Sequence, residues 1–338
     1  MSSKIDVAVV GATGAVGEAM IEILAERKFP VGELHLLASE RSAGNSVRAL
    51  GKARTVQNLA EFDFSKVQLG LFSPGGAVSA QYAPIAAAAG CWVVDNTSHF
   101  RLDPEIPLVV PEVNPHALEG YKGRIVANPN CSTIQMLVAL KPLHDSARIK
   151  RINVATYQAV SGAGAKGVAE LAGETAALLN GREHEPDTFP TQIAFNAIPQ
   201  IGDFADNGYS TEEMKMVHET RKIFEDDNIL VNPTCVRIPV FYGHSEAVGI
   251  ELERPLPVAK ARELLASAKG VTLLDENAYP TPVKEATGTD PVFVGRLRQD
   301  LSHPNGLNLW VVSDNVRKGA ALNSVQIAEL LLTNGMLN

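Results

Sequence analysis

The sequence is poor in long apolar runs. Over its 338 residues, none approaches the length of about 20 apolar residues that a membrane-spanning helix needs. The first four residues lead into a short apolar run without the apolar core of a signal peptide. We therefore expect a cytoplasmic protein with no membrane partner.

Cysteine and positive charge are also scarce. The three cysteines are odd in number, lie far apart and include no C-x-x-C motif, so neither a disulfide framework nor a thiolate zinc site is indicated, and no metal is expected. The formal net charge of -8 disfavours a nucleic-acid partner, because binding to a phosphate backbone requires a basic surface. What is present is the composition of an ordinary globular protein, 45% hydrophobic and 20% charged, with a length that suggests about two domains.

The amino-terminal region carries a glycine motif in the context of a nucleotide site. An apolar strand is predicted at 5–10, G-x-x-G-x-x-G follows directly, and helical spacing comes next. This order brings backbone N–H groups to the start of a helix, where they can bind a pyrophosphate. The spacing departs from G-x-G-x-x-G, and a simple tight turn is the alternative. The predicted cofactor contacts are Gly11, Thr13, Gly14, Ala15, Val16 and Gly17.

The end of the second predicted strand, at 33–38, indicates which dinucleotide binds. The strand runs into Ser39, Glu40, Arg41 and Ser42. An arginine with small hydroxyl residues suits the 2′-phosphate of NADP, whereas a carboxylate that faces the ribose suits NAD. Arg41 with the two serines favours NADP, while Glu40 leaves NAD open. The third strand ends in a loop at the ligand-binding edge of a parallel sheet, which adds Ser73, Gly75 and Gly76 to the predicted cofactor contacts.

A cysteine stands where an apolar strand gives way to a helix. Ile125 and Val126 end the strand, and an apolar stripe with a period near 3.6 residues follows Cys131. The partial positive charge at a helix N-terminus favours a thiolate and attracts phosphate, so Cys131 is a candidate nucleophile. The alternative is a small buried hydrophobe, the usual state of a free cysteine, and this alternative suits Cys91 and Cys235.

The spacing of the predicted elements divides the chain in two. The first part predicts β/α units, with strands near 5–10, 33–38, 68–72, 92–95 and 124–127 and helices near 14–28 and 76–89. The second part predicts a largely antiparallel sheet, with strands near 150–160, 234–241, 247–253, 292–299 and 307–313. The segment 180–210 is predicted to be a surface excursion or a dimer-contact loop. A last helix near 318–334 is predicted to return to the first domain, so the expected domains are 1–130 with 318–338, and 131–317.

Three polar clusters stand out in the second part. The segment 157–164 ends a strand in a glycine loop, 235–246 holds an arginine and a histidine seven residues apart, and 211–215 sets opposite charges at helical spacing. Each has a structural alternative: a solvated glycine turn, a structural histidine and an ordinary surface ion pair.

Together, these segments resemble the aspartate-semialdehyde dehydrogenase family. The similarity runs from the glycine motif at 11–17, through A-N-P-N-C-S-T at 127–133, to N-V-R-K-G-A-A at 315–321. It implies an α/β architecture, with a Rossmann-type dinucleotide-binding domain and an α+β catalytic and dimerisation domain like the carboxy-terminal domain of glyceraldehyde-phosphate dehydrogenase. It also implies a homodimer.

The resemblance further implies an activity and a set of site residues. The family uses NADPH to convert 4-phospho-L-aspartate to L-aspartate 4-semialdehyde with release of phosphate, on the route to diaminopimelate, lysine, threonine and methionine. The implied catalytic residues are Cys131 as nucleophile, His244 as acid and base, and Gln158, which orients the intermediate. The implied substrate residues are Arg237 for the carboxylate, Glu212 for the amino group, and Arg101, Asn130 and Lys215 for phosphate. Ser161, Gly162 and Asn315 join the cofactor contacts, and Glu213 remains an alternative to Glu212.

This chemistry suits the residue types. An acyl phosphate is already activated, so a thiolate expels phosphate if cations hold the leaving group, and a thioester remains on Cys131. Hydride transfer then gives a thiohemiacetal, whose collapse needs the proton movement that a histidine with a pKa near neutrality supplies. His244 is therefore expected within hydrogen-bond reach of the Cys131 sulfur.

Three other interpretations remain open from the sequence. N-acetyl-glutamyl-phosphate reductase uses the same thioester chemistry, but its substrate nitrogen carries no charge and has no need of Glu212. A phosphorylating glyceraldehyde-type dehydrogenase places its catalytic histidine in a different local pattern. A catalytically silent NADP-binding paralogue is the third, and the intact cysteine, glutamine, arginine and histidine argue against it.

Overall fold

The computed structural model describes residues 4–337 of the chain. These residues form two compact units. The first contains the chain up to Asn130 together with the chain from Ala320 onward, and the second contains Cys131–Gly319. Cys131 is therefore the first residue of the second unit.

Both units combine strands with helices. The strands are β1 (Ile5–Val10), β2 (Val31–Ala38), β3 (Ser46–Ala49), β4 (Lys52–Asn58), β5 (Leu69–Phe72), β6 (Trp92–Asp95), β7 (Ile125–Ala127), β8 (Ile149–Gln158), β9 (Leu230–Arg237), β10 (His244–Leu252), β11 (Val271–Leu273), β12 (Val292–Gln299) and β13 (Gly306–Ser313). The helices are α1 (Ala15–Glu26), α2 (Gly76–Ala88), α3 (Cys131–Ala147), α4 (Gly164–Leu179), α5 (Thr211–Phe224), α6 (Val258–Ser267) and α7 (Leu322–Thr333). Over residues 4–337, none of the helices combines the length and apolar character needed to span a bilayer.

The first unit is built on a seven-stranded sheet in the order β3-β4-β2-β1-β5-β6-β7. Neighbouring strands are parallel, except that β3 and β4 pair antiparallel at the edge. The central strands are buried along their length, as is typical of a parallel sheet covered on both faces. Apart from β3, the strand order is that of the dinucleotide-binding fold, with its ligand crevice where the order reverses, at the carboxyl ends of β1 and β5. The Rossmann-type α/β fold predicted from the sequence is confirmed.

The end of the chain completes the core of the first unit. Leu322, Val325 and Leu331 of α7 are buried in the same apolar cluster as the β1 and α1 side chains. Arg27, which follows α1, pairs with Glu329 of α7 at 2.7 Å between Nη2 and Oε2. The carboxy-terminal helix is thus a structural part of the first unit, although it follows the second in sequence.

The second unit is built on a six-stranded sheet in the order β11-β12-β13-β10-β8-β9. The sheet is mixed rather than largely antiparallel, because β8–β9 and β11–β12 are parallel pairs while β10 pairs antiparallel with β8 and β13, and β12 with β13. The parallel β8–β9 pair needs a long crossover, and α4, the 180–210 segment and α5 supply it. The sequence analysis did not predict α4, and it indicated α5 only through the helical spacing of charges at 211–215.

The register of three neighbouring strands lines up polar residues. Gln158 of β8 lies opposite Arg237 of β9, and Ser245 of β10 lies opposite Tyr157 of β8. Continuing the β8–β10 register by one residue sets His244 opposite Gln158. The face that carries Gln158 also buries Ile152 and Val154 of β8, and α3 contacts β8, β10 and β13.

Some predicted boundaries are wrong for identifiable reasons. The strand expected at 234–241 is β9, which begins at Leu230 and ends at Arg237, because Pro239 has no N–H with which to continue the ladder. Pro233 is tolerated inside β9 because that strand is at the edge of the sheet. The segment 180–210, as predicted, has no helix or strand in the described structure. This segment is held by buried Glu174 of α4, whose carboxylate accepts hydrogen bonds from the backbone N–H groups of Ile193 and Ala194.

Candidate active site

Cys131 is the first residue of α3 and the accessible thiol of the chain. Its side chain is half-buried, whereas Cys91 and Cys235 are completely buried. Burial raises the pKa of Cys91 to about 12 and also raises the pKa of Cys235 well above its ordinary value. The two buried thiols are therefore inert. Cys131 stands where the positive end of a helix favours the thiolate.

His244 begins β10 and is completely buried. The backbone N–H of Ala159 donates to its Nδ1 across 3.0 Å, so the neutral ring carries its proton on Nε2. Nε2 itself has no hydrogen-bond partner among the described residues, and a Cβ at Gly162 would lie 3.5 Å from it. A buried donor without a partner, next to a glycine, is available to a ligand.

The sequence analysis expected a pKa near neutrality for His244, and the structure does not give one. Burial, and then the charge of Arg237, lower the pKa of this imidazole from 6.5 to about 3, although Glu212 acts in the opposite direction. The expectation is wrong because the ring lies beside a buried guanidinium and away from water. With this lowered pKa and with Nδ1 accepting from Ala159, His244 presents a neutral ring with its proton on Nε2.

Arg237 ends β9 as a buried cation. Its Nη1 donates to the carbonyl of Ala159 at 2.6 Å. Burial lowers the pKa of the guanidinium, while the charges of Glu212 and of a thiolate at Cys131 raise it. Arg237 therefore lies within electrostatic reach of both the half-buried thiol and the carboxylate.

Gln158 and Lys215 converge on the same carboxylate. Glu212 Oε1 accepts from Gln158 Nε2 at 3.4 Å, and Glu212 Oε2 accepts from Lys215 Nζ at 2.9 Å. Gln158 Nε2 also lies 3.2 Å from Thr156 Oγ1. The sequence left open that the charges at 211–215 form an ordinary surface ion pair. In the structure Glu212 is buried, and it contacts Gln158 as well as Lys215.

Glu213 is engaged elsewhere. The Ser210 hydroxyl accepts from the Glu213 N–H, and Glu213 Oε2 accepts from the Ser210 N–H at 2.7 Å, which together form a capping box at the start of α5. Its other oxygen accepts from the N–H of Cys235 at 2.9 Å. The partners of Glu213 are backbone N–H groups that hold the fold, whereas those of Glu212 are the site side chains Gln158 and Lys215, so the geometry favours Glu212 as the ligand-binding residue. The S-x-x-E pattern at 210–213 is the sequence signal that reveals this.

Arg101 and Asn130 belong to the first unit and are both buried. Arg101 Nε donates to the carbonyl of Asn128 at 2.9 Å, and its Nη2 donates to the carbonyl of Asn96 at 2.8 Å. Asn128 is held in turn by Asn323 of α7, whose Nδ2 donates to its side-chain oxygen at 2.7 Å. The chain just before Cys131 is therefore fixed by side-chain hydrogen bonds rather than by a regular element.

Ser161 and Asn315 contact each other in the second unit. Asn315 Nδ2 donates to Ser161 Oγ at 3.0 Å, and the N–H of Gly243 donates to Asn315 Oδ1 at 2.9 Å. This link holds the glycine loop next to the residue that precedes His244. Gly162 lies close to Arg237, since a Cβ there would stand 2.7 Å from Arg237 Nη1, a contact that the sequence does not indicate.

Seven of the twelve predicted nucleotide residues of the first unit line a cleft of about 550 Å³. Those that line it are Gly11, Thr13, Gly14, Ser39, Arg41, Ser42 and Ser73. Ala15, Val16 and Gly17 form the first turn of α1, Gly75 is the N-cap of α2 and Gly76 begins that helix. Glu40 lines the cleft beside Arg41, so both residues remain within reach of a ribose.

The cleft fits a dinucleotide in three respects. Gly11 has a φ of +85°, and a Cβ there would lie 2.8 Å from the carbonyl oxygen of Ser73, so only glycine allows β1 and β5 to end this close together. The N-cap of α1 is Gly14, so no side chain caps the first-turn N–H groups. A Cβ at Gly75 or Gly76 would meet open space.

Residues 4–337 contain no group of three or more candidate metal ligands.

Comparison with known proteins identifies the family. Residues 6–121 match the semialdehyde dehydrogenase NAD-binding domain, and residues 140–318 match the semialdehyde dehydrogenase dimerisation domain. The chain is 62% identical to aspartate-semialdehyde dehydrogenase 2 of Vibrio cholerae, over 98% of this chain and 99% of that protein.

Solved structures agree with this match. A crystal structure of aspartate semialdehyde dehydrogenase II from Vibrio cholerae complexed with ASA covers 98% of this chain and 99% of its own, with 60% identity and a TM-score of 0.98. A crystal structure of aspartate semialdehyde dehydrogenase with NADP from Candida albicans covers 99% and 100%, with 25% identity and a TM-score of 0.79. From the two matched domains and these full-length similarities, we conclude that the chain belongs to the aspartate-semialdehyde dehydrogenase family.

Proposed function

We propose that the protein reduces 4-phospho-L-aspartate to L-aspartate 4-semialdehyde with NADPH, releases phosphate, and works through a thioester on Cys131. One observation carries the proposal: a single compact unit contains a half-buried thiol at a helix N-terminus together with Arg237, Gln158 and His244 on three adjacent strands. These are the groups needed to attack, orient and stabilise an acyl group.

Arg237 and Glu212 are proposed to recognise the substrate. Arg237 offers the substrate α-carboxylate a planar fork of donors, which a point charge does not reproduce. Glu212 offers the substrate ammonium a buried carboxylate. The negative charge of Glu212 attracts the ammonium of a free amino acid but not the neutral nitrogen of an N-acetylated one. This difference supports an aspartyl substrate over N-acetyl-glutamyl phosphate.

Phosphate departure is assigned to three other polar groups. Arg101, Asn130 and Lys215 would stabilise the leaving dianion while the Cys131 thiolate adds to the acyl carbon and the carbon–oxygen bond to phosphate breaks. The hydrogen bonds that Arg101 makes to backbone carbonyls at 96 and 128 hold its guanidinium in a fixed orientation. A preorganised cation costs no rearrangement when the charge develops.

The cofactor is NADP, and when bound it supplies the hydride that reduces the acyl group. The residues proposed to hold it are those around the cleft of the first unit, with Arg41, Ser39 and Ser42 at the 2′-phosphate. Ser161, Gly162 and Asn315 are proposed as further contacts from the glycine loop and the chain before α7.

His244 is proposed to act as a donor rather than as a base. As negative charge develops on the acyl oxygen, the Nε2–H group would donate to it, and the Ala159 N–H keeps the ring in this tautomer. Gln158 would orient the same oxygen from the neighbouring strand. When the carbon–sulfur bond breaks, the electron pair returns to Cys131 as thiolate, so no proton has to leave the imidazole.

We also propose that the enzyme is a cytoplasmic homodimer. The match of 140–318 to a dimerisation domain supports the dimer, and light scattering after size-exclusion chromatography tests it. The use of NADPH and of a reactive thiol suits a reducing compartment, and cell fractionation tests that location.

One assay separates the competing activities. The purified protein is supplied with NADP⁺, phosphate and either L-aspartate 4-semialdehyde or N-acetyl-glutamate semialdehyde, and NADPH formation is followed. The proposal expects phosphate-dependent turnover of the first substrate and little of the second. Faster turnover of the N-acetylated substrate would favour the reductase alternative, and no turnover of either would favour the silent paralogue.

A further inference from the structure

Gly319 lies directly against the candidate nucleophile. A Cβ built on this glycine would stand 2.6 Å from the Cβ of Cys131 and 3.2 Å from its Cα, with the Cβ of Asn315 next at 3.7 Å. Real Cβ atoms essentially never approach another heavy atom closer than 3.0 Å. Any side chain at position 319 would therefore compete with Cys131 for space.

The backbone at Gly319 does not itself require glycine. Its φ is outside the left-handed region in which the chain's positive-φ glycines lie, so an L-residue can adopt it. The absence of a side chain at this position consequently serves the contact with Cys131 and not a turn.

The segment that carries Gly319 is firmly anchored. Arg317–Ala321 forms a π-helical turn, in which the Gly319 N–H donates to the carbonyl of Asp314 at 3.1 Å. The Asp314 carboxylate accepts from the N–H groups of Val316 and Arg317 at 2.8 and 2.9 Å, and from the N–H of Gly288 at 2.7 Å. π-Helical turns often occur at functional sites. With its turn held in this way, Gly319 has little freedom to move away from Cys131.

Cys131 has more room to move than the helix behind it. The residues that follow it, from Ser132 to Leu140, are all buried in the core of the second unit. A methyl group at position 319 would therefore displace the first residue of α3, including its sulfur, relative to Arg237 and His244.

We propose that Gly319 is a positioning residue for Cys131: its missing side chain lets the nucleophile occupy the first turn of α3 in the orientation that the reaction needs. This inference rests on the proposed role of Cys131 as nucleophile. Gly319 would act through the cysteine and would contact neither substrate nor cofactor.

The test compares Gly319→Ala with Gly173→Ala, a matched substitution in α4 of the same unit. A Cβ at Gly173 meets nothing nearer than His184 Nε2 at 3.9 Å, so this control adds the same methyl group without a clash. We expect Gly319→Ala to lower kcat by roughly 100-fold, the loss that a displacement of about 1 Å produces, with the KM for L-aspartate 4-semialdehyde little changed. The rate of Cys131 alkylation by iodoacetamide at neutral pH should fall roughly fivefold or more as the thiol leaves the helix N-terminus.

A double substitution keeps the test decisive if Gly319→Ala folds poorly. Cys131→Gly removes the Cβ that the new methyl group meets, so Gly319→Ala should lower Tm less in the Cys131→Gly background than in the wild type. An equal loss of Tm in both backgrounds would overturn the proposal, as would a Gly319→Ala enzyme with unchanged kcat and alkylation rate. The alkylation and Tm measurements need no substrate, so they remain valid even if the protein fails to oxidise L-aspartate 4-semialdehyde and the proposed function is wrong.

Discussion

Ala159 donates its backbone N–H to Nδ1 of His244 across 3.0 Å, and this single hydrogen bond decides which nitrogen of the ring carries the proton. The backbone that makes the bond lies between Gln158 and the glycine loop, and the Ala159 carbonyl accepts from Arg237 Nη1. One peptide segment thus holds both the histidine and the arginine. A ring held in this way donates from Nε2 to a developing oxyanion.

The burial of His244 predicts a pH-dependent stability. In the folded protein, burial and the charge of Arg237 lower the pKa of His244 from 6.5 to about 3. As the pH falls through 6.5, the unfolded chain binds a proton that the folded chain refuses until about pH 3, so the free energy of unfolding decreases over this window. His244→Gln should flatten that decrease.

Urea denaturation of the wild type and of His244→Gln at several pH values checks this. Burial also lowers the pKa of His144, so His144→Gln should remove a share of the same slope and provides the comparison. An unchanged slope in His244→Gln would mean that the imidazole titrates normally in the folded protein.

Gly162→Ala should raise the KM for the semialdehyde and also lower kcat, since the new Cβ would lie 3.5 Å from His244 Nε2, the proposed oxyanion donor. The new Cβ would lie 2.7 Å from Arg237 Nη1, and the flexible end of that side chain would move aside. Since Arg237 is proposed to bind the substrate carboxylate, KM should rise several-fold, about the effect of losing part of a charge-assisted pair. Steady-state kinetics alongside Gly173→Ala measure this. A rise in the Kd for NADP with an unchanged KM for the semialdehyde would assign Gly162 to the cofactor alone.

Glu212 and Glu213 form a natural pair of variant and control. Glu212→Gln should raise KM for L-aspartate 4-semialdehyde and narrow the preference over N-acetyl-glutamate semialdehyde, because it removes the attraction for a positive nitrogen. Glu213→Gln keeps one acceptor oxygen but turns an NH2 group toward a second buried backbone N–H, so it should lower Tm clearly while leaving the preference unchanged. Steady-state kinetics with both substrates measure the preference. If Glu213→Gln changed it and Glu212→Gln did not, the assignment would be reversed.

The cleft in the first unit predicts the cofactor preference. Arg41→Ala should erode the preference for NADP over NAD by about 1–3 kcal/mol, the cost of losing a charge-assisted hydrogen bond. Glu40→Ala provides the matched control next to it and should preserve the preference. The ratio of kcat/KM for the two cofactors reports the outcome, and a larger loss from Glu40→Ala would show that the carboxylate reads the ribose.

The sequence was sufficient for elements with strong local signals. Apolar runs flanked by glycine turns predicted β1, β5 and β6 to within a residue or so, because a buried parallel strand must be apolar along its length. The β3–β4 hairpin was missed because its residues are mostly exposed and show no apolar period. The sheet of the second unit was predicted to be largely antiparallel, and its parallel pairs were missed, since partners such as β8 and β9 are brought together by a distant crossover that local patterns do not report.

In the candidate site, too, the features with local sequence signals were predicted and those that depend on long-range contacts were not. Cys131 at the start of α3 followed from a strand–helix junction that is visible in the sequence. The pKa of His244 did not, because it depends on burial and on Arg237, which reaches it across the sheet. The contact between Gly319 and Cys131 joins residues that are far apart in the chain, and a glycine outside a turn gives no sign of what it touches.

The proposed reaction passes through a thioester on Cys131, and this intermediate can be trapped. The wild type is mixed with L-aspartate 4-semialdehyde and NADP⁺ in the absence of phosphate, and the protein is quenched in acid and examined by peptide mass spectrometry. We predict a burst of about one NADPH per active site and an aspartyl group on the peptide that contains Cys131, neither of which Cys131→Ser should give. A burst without acylation of Cys131, or an aspartyl group on another residue, would contradict it.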